Sequence, residues 1–483
     1  MPRFTQPQAI EPYLSDASQF SGHADEVILP ENEKEISELL KEADAKKIPV
    51  TVSAGRTGLT GAAVPLGGWV LSTEKLGKIL KIQKTKTEAW ARLEPAIFLK
   101  DLDHTLEPEK LFYPPDPTGP KAFLGGTVGT NASGPKSFKY GPTRPYVRRI
   151  RVVLADGEIL DLARGQIVAN PEGVLQIPLT HRTLKVPLPH YSWPAVKHAG
   201  GYFASPRMDA VDLFIGSEGT LGVVTEIEVT LLPRPSEVIA FVVFFRSEED
   251  SWRFAKSARE KKAGLEARVL EYFDQGSLEF LRPGFPSLPK EARACLFIEQ
   301  EVQPQTKPRA LEGWRRLFEK EGTLEEIWEG ETPRQQEEFR NFRSALPLAV
   351  RDFLAQHHQR KVGTDTCVPH EHFEELVLFH RRVIERLGLR NVTFGHIGES
   401  HVHLNLLPQD EEEAGRARLL YPTLVKQALS LGGTFSAEHG VGKLKRSYFR
   451  DFFGEAAVRE MLEIKRIFDP NLILGRGNLF EIK

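Results

Sequence analysis

The chain is poor in cysteine. Among 483 residues only Cys295 and Cys367 occur, too few for a disulfide framework and too few to hold an iron–sulfur cluster unaided. Any metal it binds must rest on nitrogen and oxygen ligands, and a reducing, cytoplasmic setting is expected. Charge of one sign is also lacking: 64 Lys and Arg against 66 Asp and Glu leave a formal net charge of −2, so no nucleic-acid partner is expected. No apolar run approaches the roughly 20 residues that span a membrane as a helix. Met1 to Gln8 lack the apolar stretch of a secretory signal, so no signal is expected. Low-complexity tracts and short-period repeats are missing too. A chain this long exceeds a single core and predicts two or three domains.

What the chain has is glycine in runs. Glu31 to Ala45 reads as a helix with Ile36, Leu39, Leu40 and Ala43 on one face and Asn32 with Glu35 as its cap. The strand Val50–Val52 then opens into Ser53-Ala54-Gly55-Arg56-Thr57-Gly58-Leu59-Thr60-Gly61. Glycines let backbone N–H groups approach a ligand, and successive N–H groups form a nest for a pyrophosphate. The run is neither a Walker loop nor the Rossmann G-x-G-x-x-G. A second run spans Pro114–Thr118 and Gly125–Gly134, with Tyr140-Gly141 beyond, and a third spans Ile215–Val224. Three such runs beside predicted strands are more than turns alone require.

Strands are predicted at Ala89–Leu93 and Arg149–Leu154, with Asp156-Gly157 turning the latter into Glu158–Leu162. Val223 to Leu231 alternates apolar with polar residues and ends at Pro233. After Pro233-Arg234-Pro235 the pattern changes. Val238–Phe245, Glu249–Lys261, Arg268–Phe273, Ala294–Glu299, Pro308–Lys320 and Leu324–Trp328 read β-α-β-β-α-β, the ferredoxin-like order. Helices at about 333–356, 370–387, 412–430 and 455–468 and strands at about 391–396 and 401–407 follow.

Two stretches near the C-terminus concentrate chemistry: His396-Ile397-Gly398-Glu399-Ser400-His401-Val402-His403-Leu404-Asn405 and Ser436-Ala437-Glu438-His439-Gly440-Val441-Gly442. Strand alternation puts His401, His403 and Asn405 on one face. A turn at Gly398 can bring His396 round, and the glycines make Glu438-His439 a tight loop. Two imidazoles with one carboxylate and open positions suit Zn²⁺, Mn²⁺ or Fe²⁺. His181, His190, His198 and His357-His358 read as packed or surface residues.

Val50–Pro65, Phe112–Gly141, Ile215–Pro233, Phe394–Leu407 and Gly432–Lys445 closely resemble the FAD-linked oxidases of the vanillyl-alcohol-oxidase and p-cresol-methylhydroxylase superfamily. The branch most resembled comprises the D-lactate, glycolate and D-2-hydroxyglutarate dehydrogenases. The resemblance implies an α+β chain: a p-cresol-methylhydroxylase-type FAD-binding domain (1–235), a ferredoxin-like cap on the substrate side (236–425) and a C-terminal helical segment (426–483) returning to the FAD domain. It implies FAD held by Ser53, Ala54, Gly55, Arg56, Thr57, Gly58 and Leu59 at the pyrophosphate. Pro115, Asp116, Gly125, Thr127, Val128, Asn131, Ala132, Ser133, Tyr140, Glu218, Gly219, Val223, Val224 and Asn478 complete that cofactor set.

The resemblance assigns His396, His403 and Glu438 as metal ligands. His439 would take the hydroxyl proton of a small 2-hydroxy acid, and Asn405 and Arg343 would bind the substrate, Arg343 at its carboxylate. Electrons would pass to an external quinone, cytochrome, electron-transfer flavoprotein or iron–sulfur protein. Two departures stand out. The family commonly has Asp-Gly-Asn where this chain has Glu399-Ser400-His401, which leaves His401 as an extra ligand or an outer partner. A lysine of the D-2-hydroxyglutarate enzymes falls at Gly363 here, with Lys361 two residues earlier, which argues against a dicarboxylate substrate. Competing readings are a non-catalytic FAD-binding subunit of a larger oxidase and a non-redox flavin transferase of the ether-lipid synthase type. A homodimer is the default oligomeric expectation.

Overall fold

The computed structural model describes residues 1–117, 121–260 and 265–481; Thr118 of the second glycine run and Lys261 of a predicted helix lie outside them. Among the described residues no helix is long and apolar enough to cross a membrane.

The helix predicted after residue 30 spans Glu33–Lys46. Asn32 Oδ1 accepts from Glu35 N–H at 3.0 Å, and Glu35 Oε2 accepts from Glu31 N–H at 2.9 Å. These bonds satisfy groups that the first helical turn leaves unpaired. Ile36, Leu39, Leu40 and Ala43 are buried against Val50 and Leu71. The helix connects β2 to β3, which run parallel to β4 on either side of it in a four-stranded sheet: β1 (Arg3–Phe4), β2 (Glu26–Ile28), β3 (Val50–Ser53) and β4 (Trp69–Ser72), in the order β1-β2-β4-β3.

A second, antiparallel sheet contains β5 (Ile79–Lys84), β6 (Ala89–Leu93), β7 (Leu111–Phe112), β8 (Val147–Val153) and β9 (Ile159–Ala163). A hairpin of β10 (Val174–Pro178) and β11 (Thr183–Pro187) stands apart, and β12 (Val223–Pro233) lies centrally in the second sheet, between β6 and β8. Gly157, at φ +78°, makes the turn between β8 and β9. That left-handed conformation costs glycine little.

The cap sheet has seven strands: β13 (Glu237–Phe245), β14 (Ala267–Phe273), β15 (Ala294–Val302), β16 (Ile327–Gly330), β17 (Val362–Gly363), β18 (Asn391–Gly395) and β19 (His403–Leu406). Their order is β16-β13-β15-β14-β18-β19-β17. The first four are the ferredoxin-like arrangement; the last three extend it, an extension the strand pattern did not predict. Strand alternation separates two cores. Phe241, Val243 and Phe245 pack with Phe254, Trp314 and Phe318 on one face, and Val242 and Phe244 with Phe342 and Leu346 on the other. The strand expected at Leu324–Trp328 begins only at Ile327, because Leu324 turns its N–H to Phe244 O (2.9 Å) before the ladder starts.

The C-terminal helix runs Arg446–Phe468 with a break at Gly454 (φ +79°), so about two turns precede the segment predicted at 455–468. Its Phe449, Met461, Ile464 and Phe468 enter the core of the second sheet beside Phe214, Ile150 and Ile227. The chain then returns to β3, where Val50 N donates to Ile473 O at 2.7 Å.

Two imidazoles outside the site are held neutral. His198 is bonded at both ring nitrogens, to Thr434 Oγ1 at 2.7 Å and Gly200 O at 2.6 Å. His380 has no partner on either nitrogen among the described residues. Burial lowers each from 6.5 to about 4. Between those values the unfolded chain binds more protons, so stability is full above pH 6.5 and falls as pH drops towards 4. A His380→Leu variant is expected to lose less melting temperature than wild type between pH 7 and 4.5. Equal losses in thermal scans would contradict this.

Candidate active site

The loop after β3 leaves five consecutive N–H groups, Gly55 to Leu59, that donate to no acceptor among the described residues. Successive backbone N–H groups left free in one loop form a ready anion site. The loop walls a cavity whose other sides come from Gly125–Thr130 and Ser217–Gly222. At Gly129 an added Cβ would meet nothing within 4 Å, so this glycine faces the open space. The donor nest and the glycine-lined wall fit a dinucleotide lying along the loop.

Of the residues expected at the cofactor, Ala54, Gly55, Arg56, Thr57, Gly58, Leu59, Gly125, Thr127, Ala132, Ser133, Glu218, Gly219 and Val224 line this cavity. Others stand behind the wall. Ser53 Oγ accepts from Arg56 Nη1 (3.3 Å). Asn131, at φ +49°, accepts from Arg144 N–H (2.9 Å). Asn478 Nδ2 donates to Ala62 O (2.9 Å) and Glu218 O (3.1 Å), tying the first and third loops. Val128 and Val223 point into apolar cores, since helical and strand periodicity turn alternate residues away from the ligand. Tyr140 turns its hydroxyl to Glu301 of the cap. Pro115 and Asp116 line a second, adjoining cavity, with Asp116 2.8 Å from Lys136 Nζ.

Glu438 and His439 stand in the wall of the first cavity beside the glycine loops. Around Glu438 gather His396, His401 and His403; one ligand atom from each of the four residues falls within 4.8 Å of the others. His396 Nε2 is 3.3 Å and His403 Nε2 3.1 Å from the Glu438 carboxylate. Ser133 Oγ of the second loop donates to Glu438 Oε2 (3.2 Å). Burial would raise the Glu438 carboxyl, but Lys197, His396 and His401 hold it well below its ordinary range.

Three charged residues of this centre escaped the sequence reading. Asp365 is fully buried and accepts from Lys445 Nζ (2.6 Å), Ser436 Oγ (3.0 Å) and His439 N–H (3.0 Å). Its Oδ2 lies 3.4 Å from His439 Nδ1. Burial opposes its charge, yet His439 and Lys445 keep it well below the usual carboxylate range. Lys197 bridges Glu399 Oε2 (2.9 Å) and Glu438 Oε2 (3.1 Å); burial would lower it, and the two carboxylates raise it instead. Glu271 lies between Arg343 (2.9 Å) and His396 Nδ1 (2.6 Å). Despite burial, His396 and Arg343 bring it down to about 2. Burial takes His439 down to about 4, against the pull of Asp365 and Glu438, so its imidazole is a neutral base at ordinary pH.

Arg343 does not reach the first cavity. Both its Nε and Nη2 are spent on Glu271, and it lines the second cavity. Asn405 is buried beside His403, donates Nδ2 to His403 O (3.1 Å) and faces Gly363 rather than the cavity. A Cβ at Gly363 would sit 2.8 Å from Asn405 Oδ1, which accounts for glycine at the position where the dicarboxylate enzymes carry lysine. Lys361 is exposed and makes no hydrogen bond or ion pair among the described residues.

The loop that carries Glu438 and His439 is pressed against the first glycine loop at Thr60. Gly442 has φ +51°, and an added Cβ would lie 2.2 Å from Thr60 O; Lys443 N donates to that same oxygen (2.9 Å). Gly442→Ala combines a left-handed backbone with a backbone clash, so it should cost about 1–3 kcal/mol and loosen FAD. The check is the flavin-to-protein absorbance ratio after gel filtration, together with the melting temperature. A variant that keeps both at wild-type values would show that the two loops are not coupled here.

Residues 234–479 match the family described as FAD linked oxidases, C-terminal domain, and residues 24–163 match the FAD binding domain. Glycolate oxidase subunit GlcD of Bacillus subtilis is 29% identical over 97% of this chain and 92% of its own. The D-lactate dehydrogenase of Anaerostipes hadrus is 29% identical with the same coverage of each chain. In fold, the 4-ethylphenol oxidase from Gulosibacter chungangensis superposes with a TM-score of 0.71 at 16% identity, covering 99% of this chain and 94% of that one.

Proposed function

This chain belongs to the FAD-linked oxidases, and on that premise we propose that it oxidises a D-2-hydroxy acid of the D-lactate, glycolate or D-2-hydroxyglutarate type to the 2-oxo acid, passing electrons to an external acceptor. The observation that carries the reading is that Glu438 and His439 share one cavity wall with the Gly55–Leu59 loop. An acid–base residue and the cofactor loops therefore face the same space. The names of the two relatives support the substrate class, and Gly363, where the resemblance places the lysine of the dicarboxylate enzymes, favours a monocarboxylate.

In this reading residues 1–235 hold the cofactor, 236–425 cover the substrate and 426–483 bring the base to both, in a cytoplasmic protein. The Gly55–Leu59 N–H groups bind the pyrophosphate, and His396, His403 and Glu438 hold the ion. Bound FAD supplies the acceptor for the α-carbon hydride, and a bound divalent ion supplies the charge that acidifies the hydroxyl. Asp365 Oδ2 lies 3.4 Å from His439 Nδ1 and favours the proton on that nitrogen, which leaves Nε2 to take the hydroxyl proton. Lys445 and Ser436 keep Asp365 anionic and in place. Arg343 retains Nη1 with no partner among the described residues and lines the adjoining cavity, so that edge of the guanidinium would be the donor for a substrate carboxylate reaching into that cavity.

The test is spectroscopic. Purified protein is kept anaerobic, and D- and L-lactate, glycolate, D- and L-2-hydroxyglutarate and D-malate are added singly. One acid of the D series, or glycolate, is expected to bleach the flavin, with the bleaching abolished by a chelator and restored by a divalent metal. A yellow protein that none of them bleaches defeats the proposal.

A further inference from the structure

We propose that His401 is a third imidazole ligand, so that this chain holds its divalent ion with three histidines and one glutamate; the proposal rests on the metal reading above.

The three rings around Glu438 are built alike. His396 gives Nδ1 to Glu271 Oε1 (2.6 Å) and turns Nε2 towards Glu438 (3.3 Å). His403 gives Nδ1 to Thr364 O (3.3 Å) and turns Nε2 towards Glu438 (3.1 Å). His401 repeats the plan with its nitrogens exchanged. Nε2 faces Asp365 Oδ1 at 3.2 Å, and Nδ1 faces Glu438 Oε2 at 3.9 Å. Metal-binding histidines characteristically hand their other ring nitrogen to a carboxylate or carbonyl, which fixes the tautomer and aims the lone pair. Here each of the three rings has its own outer acceptor.

His401 is also the ring that protein alone does not explain. It is 0% exposed, and neither nitrogen makes a hydrogen bond of good geometry. A buried polar group left without a partner calls for an ion or a water. His198 shows the structural alternative, buried and bonded at both nitrogens. His380 is unpartnered too, but it belongs to no group of ligand atoms among the described residues. Convergence, not burial alone, singles out His401. The backbone arranges it: Ser400, at φ +55°, ends the turn Ile397–Glu399. The His401 ring thereby comes to 5.3 Å from that of His396 and 4.6 Å from that of His403.

The ligand count has a chemical consequence. Four protein ligands fill a tetrahedral zinc, whereas a six-coordinate ion keeps two positions, the number that the hydroxyl and carboxylate oxygens of a chelating 2-hydroxy acid require. The site therefore selects ions that accept six ligands, such as Mn²⁺, Fe²⁺ or Co²⁺, for a working enzyme.

The experiment uses the FAD-loaded protein stripped with a chelator and reloaded with one equivalent of Cu²⁺. Pulsed electron paramagnetic resonance counts directly bound imidazoles through their remote nitrogens. Three are expected in wild type and two in His401→Ala, with the flavin spectrum unchanged. Asp365→Asn, which leaves the His401 ring in place and takes the charge from the group facing its Nε2, is expected to keep three and to weaken binding about 10–100-fold. Two imidazoles in wild type would leave the metal reading standing and overturn the role of His401. No stoichiometric ion bound by wild type would overturn both. The wild-type count decides the matter even if a variant fails to fold.

Discussion

Replacing His439 with alanine is expected to slow flavin reduction by a 2-hydroxy acid about 10²–10⁴-fold, the range that a positioned general base contributes. The effect should fall on the chemical step and spare the cofactor. His439 touches the first glycine loop only through its own carbonyl, which accepts from Thr60 Oγ1 at 3.3 Å, and an alanine keeps that carbonyl. The ring makes no contact that holds the fold: it stacks on His403 at 5.3 Å and leans on Asp365 at 3.4 Å. Its burial against the cavity takes it down to about 4, so the ring is mostly neutral above that and wild-type reduction should show little loss of base between pH 5 and 7. Anaerobic stopped-flow at 450 nm, with the bound-flavin spectrum as the control, gives the comparison. A variant that is yellow and reduces at the wild-type rate would show that another group takes the proton.

Much of this site was legible because its signals are local. A cap at Asn32, a strand running into Ser53–Gly61, a turn at Asp156-Gly157 and the β-α-β-β-α-β order each depend on residues a few positions apart. The imidazoles were legible for the same reason, being crowded within His396–His403. The residues that charge and orient them were not. Glu271 meets His396 across 125 positions, and Asp365 meets His439 across 74. In the sequence each is one carboxylate among 66. Only one hint existed: Glu271, like Arg268, places a charge in a fully buried strand, Ala267–Phe273, and a charge in such a place is retained only when paired. Lys197 carried no hint, because a lysine before a glycine pair is ordinary at a surface. Val128 and Val223 were drawn into the cofactor set by their neighbours in the glycine runs, and the periodicity of their own elements sends them to the core. The added strands β17 to β19 were invisible as members of the cap sheet, since register between distant strands is set by tertiary packing and not by local pattern.

The other large effect concerns how the C-terminal segment is fastened. Lys465 and Asp469 are both 0% exposed and lie 2.8 Å apart. Lys465 Nζ also donates to Thr220 O (2.8 Å) in the third glycine loop and to Leu474 O (2.9 Å) beside β3. Asp469 accepts from the N–H groups of Ile473 (3.0 Å) and Leu474 (2.8 Å). One buried pair thus joins the last helix, a cofactor loop and the strand from which the pyrophosphate loop departs. A buried ion pair adds little over an apolar replacement, but losing one partner strands the other charge in the interior at about 3–5 kcal/mol. Lys465→Met is therefore expected to lose about that much stability and to shed FAD on gel filtration. Lys465→Met combined with Asp469→Asn should recover a large part of the loss, because no charge is left unpaired. Thermal unfolding followed by flavin fluorescence and by circular dichroism separates release of the cofactor from loss of the fold. If the single variant melts with wild type, the pair does not fasten the segment. If the double variant is the less stable of the two, the loss comes from the hydrogen bonds to Thr220 and Leu474 and not from the stranded charge.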